Sequence, residues 1–466
     1  MNKLYRIFCI TSTIVTIISC LHLLSGVFGY ALMLPVTFLV FFIFVDSIKN
    51  VWKTRPLTSY ILLSLLWFRM VLLPFYGAVS GYYSTSGTSM ELEQHFIGAV
   101  SLGVYDCMAI LIVIIIFSVK GVSLKSSDVY NKLYGSSEIY VLFCLFALAI
   151  YIIVGRSMNL FDFAIKPVGV NLEREGDLTG GRELVIRQII TSAMMFLFLL
   201  VIVWLKKKDE HTISNKYFNW SIICAVLLIA IIVGERRTSQ IYKAFASGYV
   251  LLSLYPTKKE KTITYITVAA IFVLASMTIY KQFYGFMYNS YAEAINNASM
   301  EDGFSYSMLD AYFYGIDTIA KNIHYGQMME GGLSQLLYDF FRNIFGLNML
   351  VPSDRLISSQ MYNSIIYSGD QLTGYLLSSV GYGYIFIGYL LAPFATVFNV
   401  CLMLCFEGIL RRTRYIEWQY LFAYLYMRIA FGVLGSTPPL INLVTRFFVI
   451  NAIIIGFARL FKQKTR

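Results

Sequence analysis

The sequence predicts an all-α polytopic membrane protein, with about 12 transmembrane helices and a large, partly helical extracytoplasmic loop. Three observations predict it. Of 466 residues, 58% are hydrophobic and 14% charged, where a soluble domain carries roughly a quarter charged, and the mean hydropathy is +0.67. Apolar runs of the roughly 20 residues needed to cross hydrocarbon recur along the chain. The Lys and Arg residues gather in alternate interruptions between those runs, as the positive-inside rule requires. A water-soluble core could not absorb this much apolar surface, which excludes a soluble enzyme.

The runs lie near 7–26, 29–47, 57–77, 96–118, 138–155, 186–205, 217–234, 239–255, 263–283, 377–405, 418–435 and 440–460. The first follows Lys3 and Arg6 like a signal peptide but lacks a small-residue cleavage site, so a retained helix is expected. With the N-terminus inside, cytoplasmic segments hold Lys3 and Arg6; Lys49, Lys53 and Arg55; Lys120, Lys125 and Lys132; and Lys206, Lys207, Lys208 and Lys216. They continue with Lys258, Lys259 and Lys261; Arg411, Arg412 and Arg414; and Arg459, Lys462, Lys464 and Arg466. These are 22 of the 37 basic residues, and both termini are expected in the cytoplasm. Topology and anionic lipid thus account for the net charge of +11, so nucleic acid is not implied.

Three divisions follow. Residues 1–283 carry helices 1 to 9 with outer loops at 78–95 and 156–185, residues 284–376 form the large extracytoplasmic loop, and residues 377–466 carry helices 10 to 12. Within the loop, Met308 to Gly326 places Leu309, Tyr312, Phe313, Ile316, Ile319 and Ile323 opposite Asp310, Asp317 and Lys321. That spacing predicts an amphipathic helix at the membrane surface or capping the bundle. Gly331 to Gly346 predicts a second. No internal repeat is visible, which gives a transporter of inverted halves no support. The seven cysteines sit in apolar runs and read as buried small hydrophobes. No Asp/Glu cluster has metal spacing, so metal-independent chemistry without a cofactor is expected.

The remaining basic residues are mostly arginine, 11 Arg to 4 Lys, whereas the cytoplasmic set is 7 Arg to 15 Lys. A planar fork grips phosphate or carboxylate bidentately, so the bias points to an anionic ligand, with pairing to outer acids as the alternative. The candidates are Arg174 in the 156–185 loop, Arg236 and Arg237 at the turn between spans seven and eight, Arg446 at the start of the last span, and Arg69 and Arg428 within spans. A charge in mid-span costs about 2.5–3.5 kcal/mol on the lenient insertion scale, which directs it to the bundle interior or a wet cavity. For Arg69 the alternative is a buried ion pair with Asp106; for Arg446 it is snorkelling. Ten residues separate Arg237 from Gly248 in GERRTSQIYKAFASG, which places cations beside a helix N-terminus suited to pyrophosphate. His324 follows Asp317 on the loop helix and could take a proton from a sugar hydroxyl. His324, Asp317 and Glu235 are the candidate catalytic set; the alternative for His324 is an interfacial polar residue.

The chain resembles the Wzy-type O-antigen and capsular polysaccharide repeat-unit polymerases. GERRTSQIYKAFASG at 234–248 is similar to the family's Arg-x10-Gly element, GYLLSSVGYGYIFIGY at 374–389 to its Gly/Ser-rich segment after the large loop, and WFRMVLLPFYG at 67–77 to its third span. A second Arg-x10-Gly element is not matched. The resemblance implies glycosyl transfer on the outer face of the bacterial inner membrane, with undecaprenyl-pyrophosphate-linked oligosaccharides as substrates. It also implies contact with membrane lipid and a chain-length regulator protein as a partner. An O-antigen ligase of the same chemistry and a lipid-linked oligosaccharide flippase remain as alternatives.

Overall fold

The computed structural model describes residues 3–23, 26–48, 52, 54–80, 89–119, 132–155, 181–210, 215–231, 238–280, 306–329, 332–352, 355–366, 377–435 and 437–464. Among them there is no strand, only an isolated antiparallel bridge between Ser378 and Gly435. The helices are α1 (Lys3–Leu21), α2 (Met33–Ser47), α3 (Pro56–Ser80), α4 (Ser89–Val119), α5 (Ser137–Ile150), α6 (Gly181–Asp209), α7 (Lys216–Ala230), α8 (Thr238–Leu254) and α9 (Lys259–Tyr280). They continue as α10 (Tyr306–Phe313), α11 (Ile316–Met328), α12 (Leu333–Asn343), α13 (Ser358–Ile366), α14 (Ser379–Ile387), α15 (Phe394–Arg412), α16 (Ile416–Phe431) and α17 (Thr437–Lys464). Among the described residues, eight helical segments are long and apolar enough to cross a membrane: those of α1 to α6, Tyr389–Arg412 and Leu440–Gln463. The chain is an all-α protein of the multi-pass membrane type. The other four expected spans coincide with α7, α8, α9 and α16, of 15, 17, 22 and 16 residues.

The expected span at 377–405 is broken. Gly388, at φ +84°, ends α14, and Pro393 precedes α15, a pairing of left-handed backbone and missing donor that interrupts a helix. The chain folds back so tightly that a Cβ on Gly383 would stand 2.0 Å from the Ala392 carbonyl oxygen. The spanning helix therefore begins at Tyr389 rather than 377. The cysteines also differ in part from expectation. Cys9, Cys20 and Cys107 are buried, but Cys144, Cys224 and Cys401 are half-buried and Cys405 is exposed, as apolar helices that face lipid allow.

The chain forms two compact units. The first comprises Met1–Leu124, Phe304–Gly408 and Ile429–Asn442. Here α3 carries a π-helical turn over Phe68–Leu72 that contains Arg69. Glu407 caps the start of α3, accepting hydrogen bonds from Thr58 N at 2.9 Å and Thr58 Oγ1 at 2.7 Å. The expected helix of 308–326 is two helices, because Tyr314 adopts φ 52° and Gly315 turns the chain. Asp310 then reaches over the turn, accepting from Thr318 N at 2.8 Å and Thr318 Oγ1 at 2.6 Å. Two of the orphan N–H groups of α11, those of Asp317 and Thr318, thereby find an acceptor.

Helix α11 does not lie on a surface with its polar face in water. It runs antiparallel to α4, with Ile323 Cδ1 seated 3.3 Å from where a Cβ on Gly98 would stand and Ile319 Cδ1 4.0 Å from that on Gly103. On α3, Phe68 stacks on Phe313 at 4.4 Å between centroids and Tyr76 on Tyr306 at 6.2 Å. Asp317, Lys321 and Asn322 are buried with the apolar face. The amphipathic pattern was real, but its charged side is neutralised internally: Lys321 Nζ donates to Asp317 Oδ2 at 2.7 Å. Asp339 of α12 is a second buried hub, taking hydrogen bonds from Gln335 Nε2 (3.0 Å), Ser358 N (3.1 Å) and the Tyr382 hydroxyl (2.9 Å). These tie α12 to α13 and α14.

The second unit comprises Lys125–Gly303, Ile409–Arg428 and Leu443–Arg466. In it, α5 and α6 pack through Tyr140 stacked on Phe196 at 4.6 Å. Glu417 accepts from Tyr134 N at 2.6 Å, Gly135 N at 3.2 Å and the Tyr140 hydroxyl at 3.1 Å, which fixes α16 to the start of α5. Lys243 of α8 is buried and donates to the Ile231 carbonyl at the end of α7, 2.8 Å away. It supplies the cationic C-terminal partner a helix favours.

Candidate functional site

On α16, Tyr420, Tyr424 and Arg428 recur every four residues, which aligns them on one face, and all three are buried. The Arg428 guanidinium lies 5.1 Å from the ring centroid of Tyr242 on α8 and 5.6 Å from that of Tyr424. The two tyrosines meet edge to face at 5.5 Å. Tyr424 also stacks on Phe447 at 4.1 Å, which brings the adjoining Arg446 of α17 close enough to act electrostatically on the same phenol. Arg428 is 7% exposed, its Nε makes no hydrogen bond, and among the described residues no carboxylate pairs with it. Aromatic faces stabilise such a cation by about 0.5–2 kcal/mol without occupying its in-plane donors. A buried fork held this way can grip a phosphate-type anion.

Arg69 is different. Its Nη1 stands 2.8 Å from Asp106 Oδ2, with both residues in the core of the first unit. The pair is monodentate: Arg69 Nη2 and Asp106 Oδ1 make no hydrogen bond. The Thr396 hydroxyl lies beside the carboxylate without hydrogen-bond geometry. The ion pair that the sequence offered as the alternative for Arg69 is therefore present.

His324 is half-buried, and its neighbour is His95 of α4, with 5.7 Å between ring centroids. Asp317 stands seven residues away on the same helix, roughly 10 Å along its axis, and is bound to Lys321. The structure thus places His324 with a second imidazole rather than with that carboxylate. Asp310 is also electrostatically perturbed. Burial, with the Asp317 carboxylate beside it, pushes its carboxyl up to about 7. Gly248 packs α8 on α9, where a Cβ would come 3.3 Å from Ile266 Cγ2. Arg174, Glu235, Arg236 and Arg237 lie outside the described residues. No group of three or more His, Cys, Asp and Glu could hold a metal ion among the described residues.

Sequence reasoning passed over His95, Tyr242, Tyr424 and Lys243. The i, i+4 repeat Tyr420, Tyr424, Arg428 was the one available signal for the aromatic cradle. His95 had none, because its partner comes from 229 residues further along the chain. No family model, no curated protein and no solved structure matches this chain.

Proposed function

We propose that the chain is a glycosyltransferase of the bacterial inner membrane, a polymerase of undecaprenyl-pyrophosphate-linked oligosaccharide repeat units. The observation that carries the reading is Arg428: a buried cation packed against aromatic faces, with Arg446 beside the same tyrosine. In this reading about 12 helices cross the membrane, both termini are cytoplasmic, and residues 284–376 contribute on the outer face. The bond from the donor's anomeric carbon to pyrophosphate breaks, and the pyrophosphate leaves with the electron pair. Arg428 and Arg446 offset its charge, which is electrostatic stabilisation in a low-dielectric site. The acceptor hydroxyl of the next lipid-linked repeat forms the new glycosidic bond and gives its proton to a general base.

The test is deletion of the gene in its own host, with lipopolysaccharide or capsule resolved on a gel. A polymerase predicts lipid A-core capped by a single repeat. Cores with no repeat, alongside polymerised lipid-linked chains, would transfer the assignment to a ligase.

A further inference from the structure

We propose that α12 and the turn after it form a lipid-docking surface, seated among phospholipid acyl chains with Arg342 and Arg355 at the level of the phosphates. The inference does not depend on the proposed reaction. Helix α12 is built inside out. Gln335, Asp339 and Asn343, at every fourth residue, form a buried stripe at most 8% exposed. Leu333, Leu337 and Phe341, also four apart, stand 47–64% exposed. Of the four exposed residues of the helix, only Ser334 is polar. A helix on a water-facing surface carries the reverse arrangement, with its apolar stripe toward the core.

Hydrogen bonds fix the inversion. Gln335 Nε2 donates to the Leu356 carbonyl at 3.0 Å, and Asp339 receives Ser358 N and the Tyr382 hydroxyl, so the polar stripe is held against α13 and α14. Past the helix, Gly346 at φ +95° turns the chain, and Arg342 Nη1 secures the turn by donating to the Asn348 carbonyl at 2.8 Å. Met349 and Leu350 are left exposed beyond it.

Two observations identify what covers this face. Among the described residues from Gly332 to Ile366, the charges that are not buried are Arg342 and Arg355, both cations, whereas the carboxylate of Asp339 is turned inward. An apolar face edged by guanidinium groups matches a phospholipid, acyl chain to leucine and phosphate to arginine. The second observation is position. Leu336 and Phe340 pack on the cluster that holds Tyr382 and Phe386 of α14, and α14 leads through Gly388 into the spanning segment Tyr389–Arg412, whose first leucines, Leu390 and Leu391, are exposed in the same way.

The test is photocross-linking of the full-length protein with p-benzoylphenylalanine in place of Leu337, Phe341 or Leu350, in vesicles of equal parts phosphatidylethanolamine and phosphatidylglycerol, read by mass spectrometry. Each position should gain the mass of a phospholipid, as should a label at Leu390 in the spanning segment. Phosphatidylglycerol adducts should exceed phosphatidylethanolamine adducts by about twofold or more, and Arg342→Gln combined with Arg355→Gln should return the ratio to that of the vesicle. Cross-links to a second copy of the chain, or no adduct at 337 and 341 while 390 yields one, overturn the proposal. A wild-type ratio equal to that of the vesicle overturns the part given to the two arginines. Should a label within the helix prevent folding, Leu350, beyond it, decides alone.

Discussion

Two buried arginines are held in opposite ways in the two units. Arg69 meets a carboxylate at 2.8 Å, whereas Arg428 meets only ring faces among the described residues. A pair such as Arg69–Asp106 is neutral before any ligand arrives, and an anion would have to displace the aspartate to bind. A cation cradled by tyrosines keeps its charge uncompensated, at a cost in stability that a phosphate ligand would offset. Burial of an arginine is therefore not evidence of a ligand; the identity of what faces it is.

The largest effect expected from this contrast is at Arg428. Arg428→Ala should lower chain polymerisation by about 10²-fold or more, as loss of a preorganised donor does. Arg428→Lys should lose nearly as much, because a point charge replaces the fork. Polysaccharide length on a gel reads both, and full-length chains from the lysine variant would reduce Arg428 to an anchor. At Arg69 the effect should be on stability. Asp106→Ala strands the cation and should cost about 3–5 kcal/mol, seen as lost protein level or a lower melting temperature in detergent. Removing both, in Arg69→Ala with Asp106→Ala, should restore stability, and with it long chains if the pair is only structural. Stable protein without activity would return Arg69 to the substrate site.

A smaller effect is expected from pH at the α10–α11 turn. Asp310 has a folded-state pKa raised to about 7, so its protonated form is the favoured one in the fold. That contribution is complete in acid, below the ordinary carboxylate range, and is lost as pH rises through about 7. Wild type should therefore lose more thermal stability than Asp310→Asn between pH 5 and pH 8. Equal losses would remove Asp310 as the titrating group. The smallest effect belongs to Gly248. Gly248→Ala places a methyl 3.3 Å from the branch methyl Cγ2 of Ile266, which has to give by a few tenths of an ångström, so activity should change less than twofold, under about 0.4 kcal/mol. Gly248→Leu should separate α8 from α9 and lower the melting temperature.

Composition and charge made the membrane class and most helices legible, because hydrocarbon thickness and the positive-inside bias act on every segment. Interruptions were less legible. The break at Gly388 depends on a fold-back against Ala392, and the turn at Tyr314 depends on Asp310 reaching Thr318, neither of which appears in a window of hydropathy. The same pattern leaves a helix at the membrane surface and one capping the bundle equally open, because Asp317 and Lys321 at i, i+4 can pair equally well in water or in a core. Arg69 and Asp106 were nameable as partners from their depth alone, whereas the Tyr242 face of Arg428 required knowing which helices are neighbours.

Burial of α11 on every side from Ile316 to Ile323 also orders the assembly of the chain. With Asp317, Lys321 and Asn322 in one 13-residue helix, it could not partition into lipid unaided, since each ionised group alone would oppose insertion. The face of α4 that carries Gly98 and Gly103 has to exist first, synthesised roughly two hundred residues earlier and waiting. The segment then arrives as a late guest, its charges already matched. Truncations that end before residue 306 should leave that face of α4 uncovered, a natural handle for chaperones and proteases that survey nascent membrane proteins.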